Sequence, residues 1–131
     1  MNGNKAILDT NTIVFASKQQ LNIEKLLAKY DYFYVSAITY MEVYGYDFAN
    51  KKEKELIDML FESIEIIETN KAIAEQVILY RKSKLKKIKL PDAIILATAR
   101  YLEAELVTDD WDDFQNIDKN VKIVTIDSFR L

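Results

Sequence analysis

Lys5-Ala6-Ile7-Leu8-Asp9-Thr10-Asn11-Thr12 is the stretch on which the fold turns. A short apolar run stops at an acid, and three small polar residues follow. The run reads as a buried first strand. Thr10, Asn11 and Thr12 offer caps for a short helix through Ala16. Downstream, Glu105-Leu106-Val107-Thr108 repeats the pattern and runs into Asp109 and Asp110. Two strands that each deliver a carboxylate at the carboxyl end suggest a ligand site. In open α/β sheets, ligands bind outside those ends, where the strand order reverses.

Other segments alternate around these two. Ile23, Leu26, Leu27 and Tyr30 recur at helical spacing, and Tyr32-Phe33-Tyr34-Val35 is aromatic and β-branched, as strands are. Ser36 caps a helix expected over 37–46, which Gly45 helps to end. Lys51–Phe61 places Leu56, Ile57, Leu60 and Phe61 on one face. Ile64–Ile67 reads as a short strand and 71–87 as a long helix, with Ile73, Val77, Ile78 and Leu85 inward. Pro91 suits the first position of a helix over 91–102. Ala93–Ala97 is apolar all round, so that helix is expected to be buried. Lys122–Thr125 reads as a last strand. Strands alternating with helices predict an α/β fold with a mostly parallel sheet and helices on both faces. No repeat, low-complexity tract or linker interrupts residues 1–131, which are expected to form one domain.

Composition narrows the chemistry. Of 131 residues, 50% are apolar and 30% charged, which is a globular balance. Cysteine and histidine are both absent. That removes thiol nucleophiles, Ser-His-Asp triads and cysteine or imidazole metal sites. Hydrolytic chemistry must then run on carboxylates, Lys, Tyr or a metal held by oxygen, and oxygen ligands select hard cations such as Mg²⁺ or Mn²⁺. No apolar run is long enough to span a bilayer, and Met1–Lys5 shows no secretory pattern, so a cytoplasmic location is expected. The net charge of −3 gives no global hint of nucleic-acid binding. Residues 81–89, however, carry six positive charges and no acid. That stretch is either the solvated end of a helix or a phosphate-contacting patch, with Lys84, Lys86 and Lys87 as its candidates.

The candidate acids are Asp9, Glu42, Asp92 and the cluster of Asp109, Asp110, Asp112 and Asp113. Each also has a purely structural use. Asp9 can cap a helix, Asp92 can complement a helix dipole, Glu42 can sit on a solvated edge, and the acids of 109–113 can form a polar turn. Gathered in one cleft, they would repel one another, and a divalent cation would relieve that repulsion.

At these residues the sequence resembles a known family, the PIN domains, and within it the VapC-type toxins. Leu8-Asp9-Thr10-Asn11 resembles the family's opening motif. Residues 35–45, Val-Ser-Ala-Ile-Thr-Tyr-Met-Glu-Val-Tyr-Gly, resemble the second, residues 90–99 the third and residues 106–114 the fourth. The resemblance implies a three-layer α/β/α sandwich. It also implies Mg²⁺- or Mn²⁺-dependent endoribonuclease activity, in which water attacks a phosphodiester to leave a 5′-phosphate and a 3′-hydroxyl. Asp9, Glu42, Asp92 and Asp110 match the family's acids, and Asn11 and Thr108 match residues that support the site. Asp109-Asp110 departs from the pairs many close relatives carry, which leaves Asp110 and Asp113 as alternatives for the fourth acid. Small stand-alone PIN proteins imply, further, an antitoxin partner and homodimers.

Three other readings compete. One is a PIN-like scaffold that binds RNA or protein without cleaving, which the intact acid set opposes. A receiver-like signalling domain would need a phosphoacceptor Asp after the third strand, where this chain has Glu68-Thr69. A phosphatase with an Asp nucleophile would want a second Asp at position 11, which is Asn.

Overall fold

A computed structural model describes residues 3–131; Met1 and Asn2, part of the stretch read above for a secretory pattern, lie outside the described residues. Five strands form one sheet: β1 (Lys5–Leu8), β2 (Tyr32–Ser36), β3 (Ile64–Ile67), β4 (Glu105–Thr108) and β5 (Ile123–Thr125). Their order is β3-β2-β1-β4-β5 and every pairing is parallel. The chain steps outward from β1 to β3, then returns to the other side of β1 with β4. The order therefore reverses between β1 and β4, where Leu8 pairs with Val107. Because β3 lies at the sheet edge, an acid following it would be remote from Asp9, which further weakens the receiver-like reading.

Seven helices cover both faces: α1 (Thr10–Ser17), α2 (Ile23–Lys29), α3 (Ala37–Tyr44), α4 (Lys51–Phe61), α5 (Lys71–Lys82), α6 (Leu90–Leu102) and α7 (Trp111–Phe114). A 3-10 turn over Ile126–Phe129 was not anticipated. Alternation along the strands sorts the core into two layers. Ala6, Leu8, Phe33, Val35, Val107 and Val124 face Ile13, Leu26, Ile57 and Phe129. Ile7, Leu106 and partly buried Tyr34 and Ile123 face Ile73, Val77, Ala93, Leu96 and Phe114. The molecule is thus an α/β/α sandwich around an all-parallel sheet. No helix among the described residues is long and apolar enough to cross a membrane.

Two helices end earlier than expected. α3 stops at Tyr44 rather than 46, with Gly45 as its cap in right-handed geometry. The glycine is needed there for room, since a Cβ would come within 2.8 Å of the Met41 carbonyl oxygen. α5 stops at Lys82 rather than 87. Its inward residues are Ile73, Val77 and Tyr80, at i, i+4 and i+7, whereas Ile78 and Leu85 are exposed. α6 is buried as expected and begins one residue early, at Leu90.

Candidate active site at the strand ends

Asp9 leaves the carboxyl end of β1 and caps α1. Its Oδ1 accepts from the Thr12 backbone N–H (2.9 Å) and Thr12 Oγ1 (2.7 Å), and its Oδ2 from Thr108 Oγ1 (2.5 Å). The side chain is buried, and burial pushes its carboxyl up to about 6 against those hydrogen bonds, with a further rise from the charge of Asp109. Capping therefore leaves Asp9 free for a site use as well. Capping occupies one side of the carboxylate and fixes its direction, and each oxygen carries two lone pairs.

Thr108 ends β4 directly across from Asp9. Its hydroxyl donates to Asp9 and accepts from the Asp110 backbone N–H at 2.9 Å, so one group orients both strand-end segments. Asp110 then caps α7, accepting from the Asp113 backbone N–H at 3.3 Å. The Asp113 carboxyl is raised by its hydrogen bond to Asp110, by burial and by the Asp110 charge, against Lys89 and Lys86.

Glu42 stands on α3, near the carboxyl end of β2, and accepts from Thr10 Oγ1 at 2.5 Å. Thr10 is the residue after Asp9, so this bond ties the second acid to the first. Asp92 lies in the first turn of α6. Burial raises its carboxyl, and Asp113, Glu42 and Asp110 add to the rise while Lys89 opposes it. Asp92 and Asp113 line one cleft, and the charges of Glu42 and Asp110 reach Asp92.

The site differs from the sequence reading in three respects. Asp109 was passed over in favour of its neighbour, yet its charge acts on Asp9 and its Oδ1 is buried with no hydrogen-bond partner. Its place immediately after β4 was the available signal. Thr10 and Thr12 were read as caps only, and both hold acids. Asn11, expected to support the site, is exposed and makes no side-chain hydrogen bond among the described residues.

The donor chemistry suits a divalent cation. The candidate ligands are all carboxylates, nearby acids raise the proton affinity of Asp92 and Asp113, and Oδ1 of Asp109 is buried without a partner. Among the described residues, no three acids are grouped closely enough to hold one ion directly. Mg²⁺ sites made of one or two carboxylates and several waters do not require such a grouping.

A model of the PIN domain matches residues 6–120, nearly the whole of the fold and every acid above. The chain belongs to the PIN domain family. Solved PIN-like structures agree. VapBC2 from Rickettsia felis, crystallised with a DNA fragment from its promoter, matches at 26% identity and a TM-score of 0.78, over 94% of this chain and 99% of that one. A toxin–antitoxin complex from Klebsiella pneumoniae matches at 32% identity and a TM-score of 0.69, over 88% and 94%. DNA-bound VapBC from Salmonella typhimurium, at 22% identity and a TM-score of 0.76 over 93% and 98%, shares the fold. No curated protein matches the chain.

Proposed function

We propose that this PIN domain is a divalent-metal-dependent endoribonuclease, the toxin of a toxin–antitoxin pair. One observation carries the reading. Asp9 lies where the strand order reverses and is bonded by Thr108, Thr10 bonds Glu42, and the charges of Glu42 and Asp110 act on Asp92. Asp9, Asp92, Asp110 and Glu42 would hold Mg²⁺ or Mn²⁺, one or two of them directly and the others through water. Once bound, such an ion supplies the Lewis acidity and charge neutralisation that phosphodiester hydrolysis needs. The protein's own contribution is positioning. Thr12 and Thr108 lock the Asp9 carboxylate, Thr10 locks Glu42, and the Thr108 bond to the Asp110 backbone sets the turn into α7. Asp113 faces Asp110 and serves as the alternative fourth ligand.

Relatives crystallised as toxin–antitoxin complexes support an antitoxin partner, and Tyr40, Met41 and Tyr46 offer it exposed apolar surface beside Glu42. Homodimers and work in the cytoplasm complete the proposal. The test is cleavage of RNA by the purified protein, with the new ends identified. The expected products carry 5′-phosphates and 3′-hydroxyls. Cyclic phosphates or 5′-hydroxyls would reject hydrolysis by water. Calorimetric absence of Mg²⁺ and Mn²⁺ binding, with no cleavage, would favour the non-cleaving scaffold.

A further inference from the structure

Sequence left residues 81–89 with two uses, and their placement separates the residues. α5 ends at Lys82, so Lys84, Lys86, Lys87 and Lys89 lie beyond the helix. Three fastenings hold the segment. Ser83 Oγ accepts from the Leu85 backbone N–H at 3.2 Å. The Lys86 ammonium donates to the backbone carbonyls of Asp112 and Gln115 at the end of α7. Ile88 is buried in the core layer beneath α5 and α6. Anchoring Ile88 leaves its neighbours Lys87 and Lys89 exposed.

Arg81, Lys87 and Lys89 line a cleft of about 480 Å³ together with Asp92 and Asp113. That volume is within the range of small-ligand sites, roughly 300–1,000 Å³. The ion pairs among the described residues use Lys18, Lys51, Lys54, Arg100, Lys122 and Arg130, and none of the three. Dipole complementarity accounts for Arg81 in the last turn of α5. It does not account for Lys89. That residue caps the N-terminus of α6 without a side-chain bond, at the end where a helix disfavours cations. Lys89 eases the repulsion between Asp92 and Asp113 without forming a direct ion pair, and three exposed cations around one cleft leave positive charge for an anionic ligand.

We propose that Arg81, Lys87 and Lys89 form a phosphate grip that holds the RNA backbone next to the scissile bond, on the Asp92–Asp113 side of the site. The proposal rests on the ribonuclease reading. Lys86 is a fastener of the loop, and Lys84 lies outside the cleft. Contacts of this kind fix the strand's register and carry no base preference.

The test uses Arg81→Gln/Lys87→Gln/Lys89→Gln, all exposed positions, in the full chain. Binding of a short fluorescein-labelled single-stranded RNA is followed across a salt series in chelator, and cleavage kinetics in Mn²⁺. The slope of log affinity against log salt should fall by about 2, at roughly 0.7 per lost phosphate contact. KM should rise about tenfold or more with kcat little changed, as loss of uniform binding requires. Lys87→Arg/Lys89→Arg should restore both values. A control of equal charge, Lys25→Gln/Lys52→Gln/Lys71→Gln, should leave the slope near wild type. Equal effects in control and grip variants, or a wild-type slope in the grip variant of a protein that cleaves RNA, would overturn the grip and leave the nuclease standing. A wild-type protein that neither cleaves nor binds RNA would overturn both.

Discussion

Thr108 carries one hydroxyl and uses it twice, as donor to Asp9 and as acceptor from the Asp110 backbone. Thr108→Val keeps the shape and removes both bonds. It should lower cleavage by roughly 10–100-fold, the usual effect of losing a partner that orients a metal ligand, while the fold persists by circular dichroism. Unchanged activity would show that Asp9 needs no such orientation. Asp110→Asn should impair cleavage more than Asp113→Asn in parallel assays, and the reverse ranking would make Asp113 the fourth ligand. At this scale the acids were legible because each falls at a strand end or a helix start, where α/β sheets place ligands. Their threonine partners were less legible. A threonine near a helix start has a sufficient local use as a cap, and nothing local shows that Thr10 reaches Glu42, distant in sequence and adjacent in space.

Among the elements, the termination of α5 shows where local reading fails. Residues 83–87 contain no Gly or Pro, and Leu and Lys are good helix formers, so helical spacing ran on to 87. The helix ends at 82 because Ile88 must reach the core and Lys86 must reach α7, and both demands are tertiary. Beyond it, Asp118 joins three segments. Its buried carboxylate accepts from Tyr80 on α5 and from Arg100 on α6 at 2.8–2.9 Å, and from the Asn120 backbone. Burial alone would raise this acid, but those hydrogen bonds outweigh it and hold the carboxyl below its ordinary range. Asp118→Asn should cost about 1–2 kcal/mol in urea melts at neutral pH, a modest figure because Arg100 is partly exposed. A depressed folded-state value makes this contribution complete above the unfolded value, near 3.9. It is lost as pH falls through the folded value, so the gap between wild type and variant should close in acid. A constant gap would assign the effect to packing instead. α6 ends with Glu103 in left-handed geometry at φ 56°, where the backbone N–H of Ala104 reaches the Ala99 carbonyl at 2.9 Å. Glu103→Gly should stabilise the protein by up to about 1 kcal/mol by relieving that conformation, and a lowered melting temperature would contradict it.

Across the whole molecule, alternation of strands and helices revealed the sandwich, since short apolar segments separated by amphipathic ones have few other ways to bury their faces. Strand order is a long-range property that no local pattern encodes. Placing Asp9 beside Thr108 required β4 to pair with β1, and the structure supplies that pairing. With it, Asp9 and the acids that follow β4 come to the reversal of the sheet, and the family membership of residues 6–120 fits the same architecture. The proposed function requires the strand-end acids to cleave RNA by means of a divalent ion held on Asp9 and its neighbours. The most direct measurement is RNA cleavage by the wild-type protein and by Asp9→Asn, each in Mn²⁺ and in excess chelator. Wild type should cleave in Mn²⁺ alone, and Asp9→Asn should lose at least about a hundredfold, beyond the 10–100-fold that outer partners supply. Cleavage that survives chelation, or that Asp9→Asn retains in full, would contradict it.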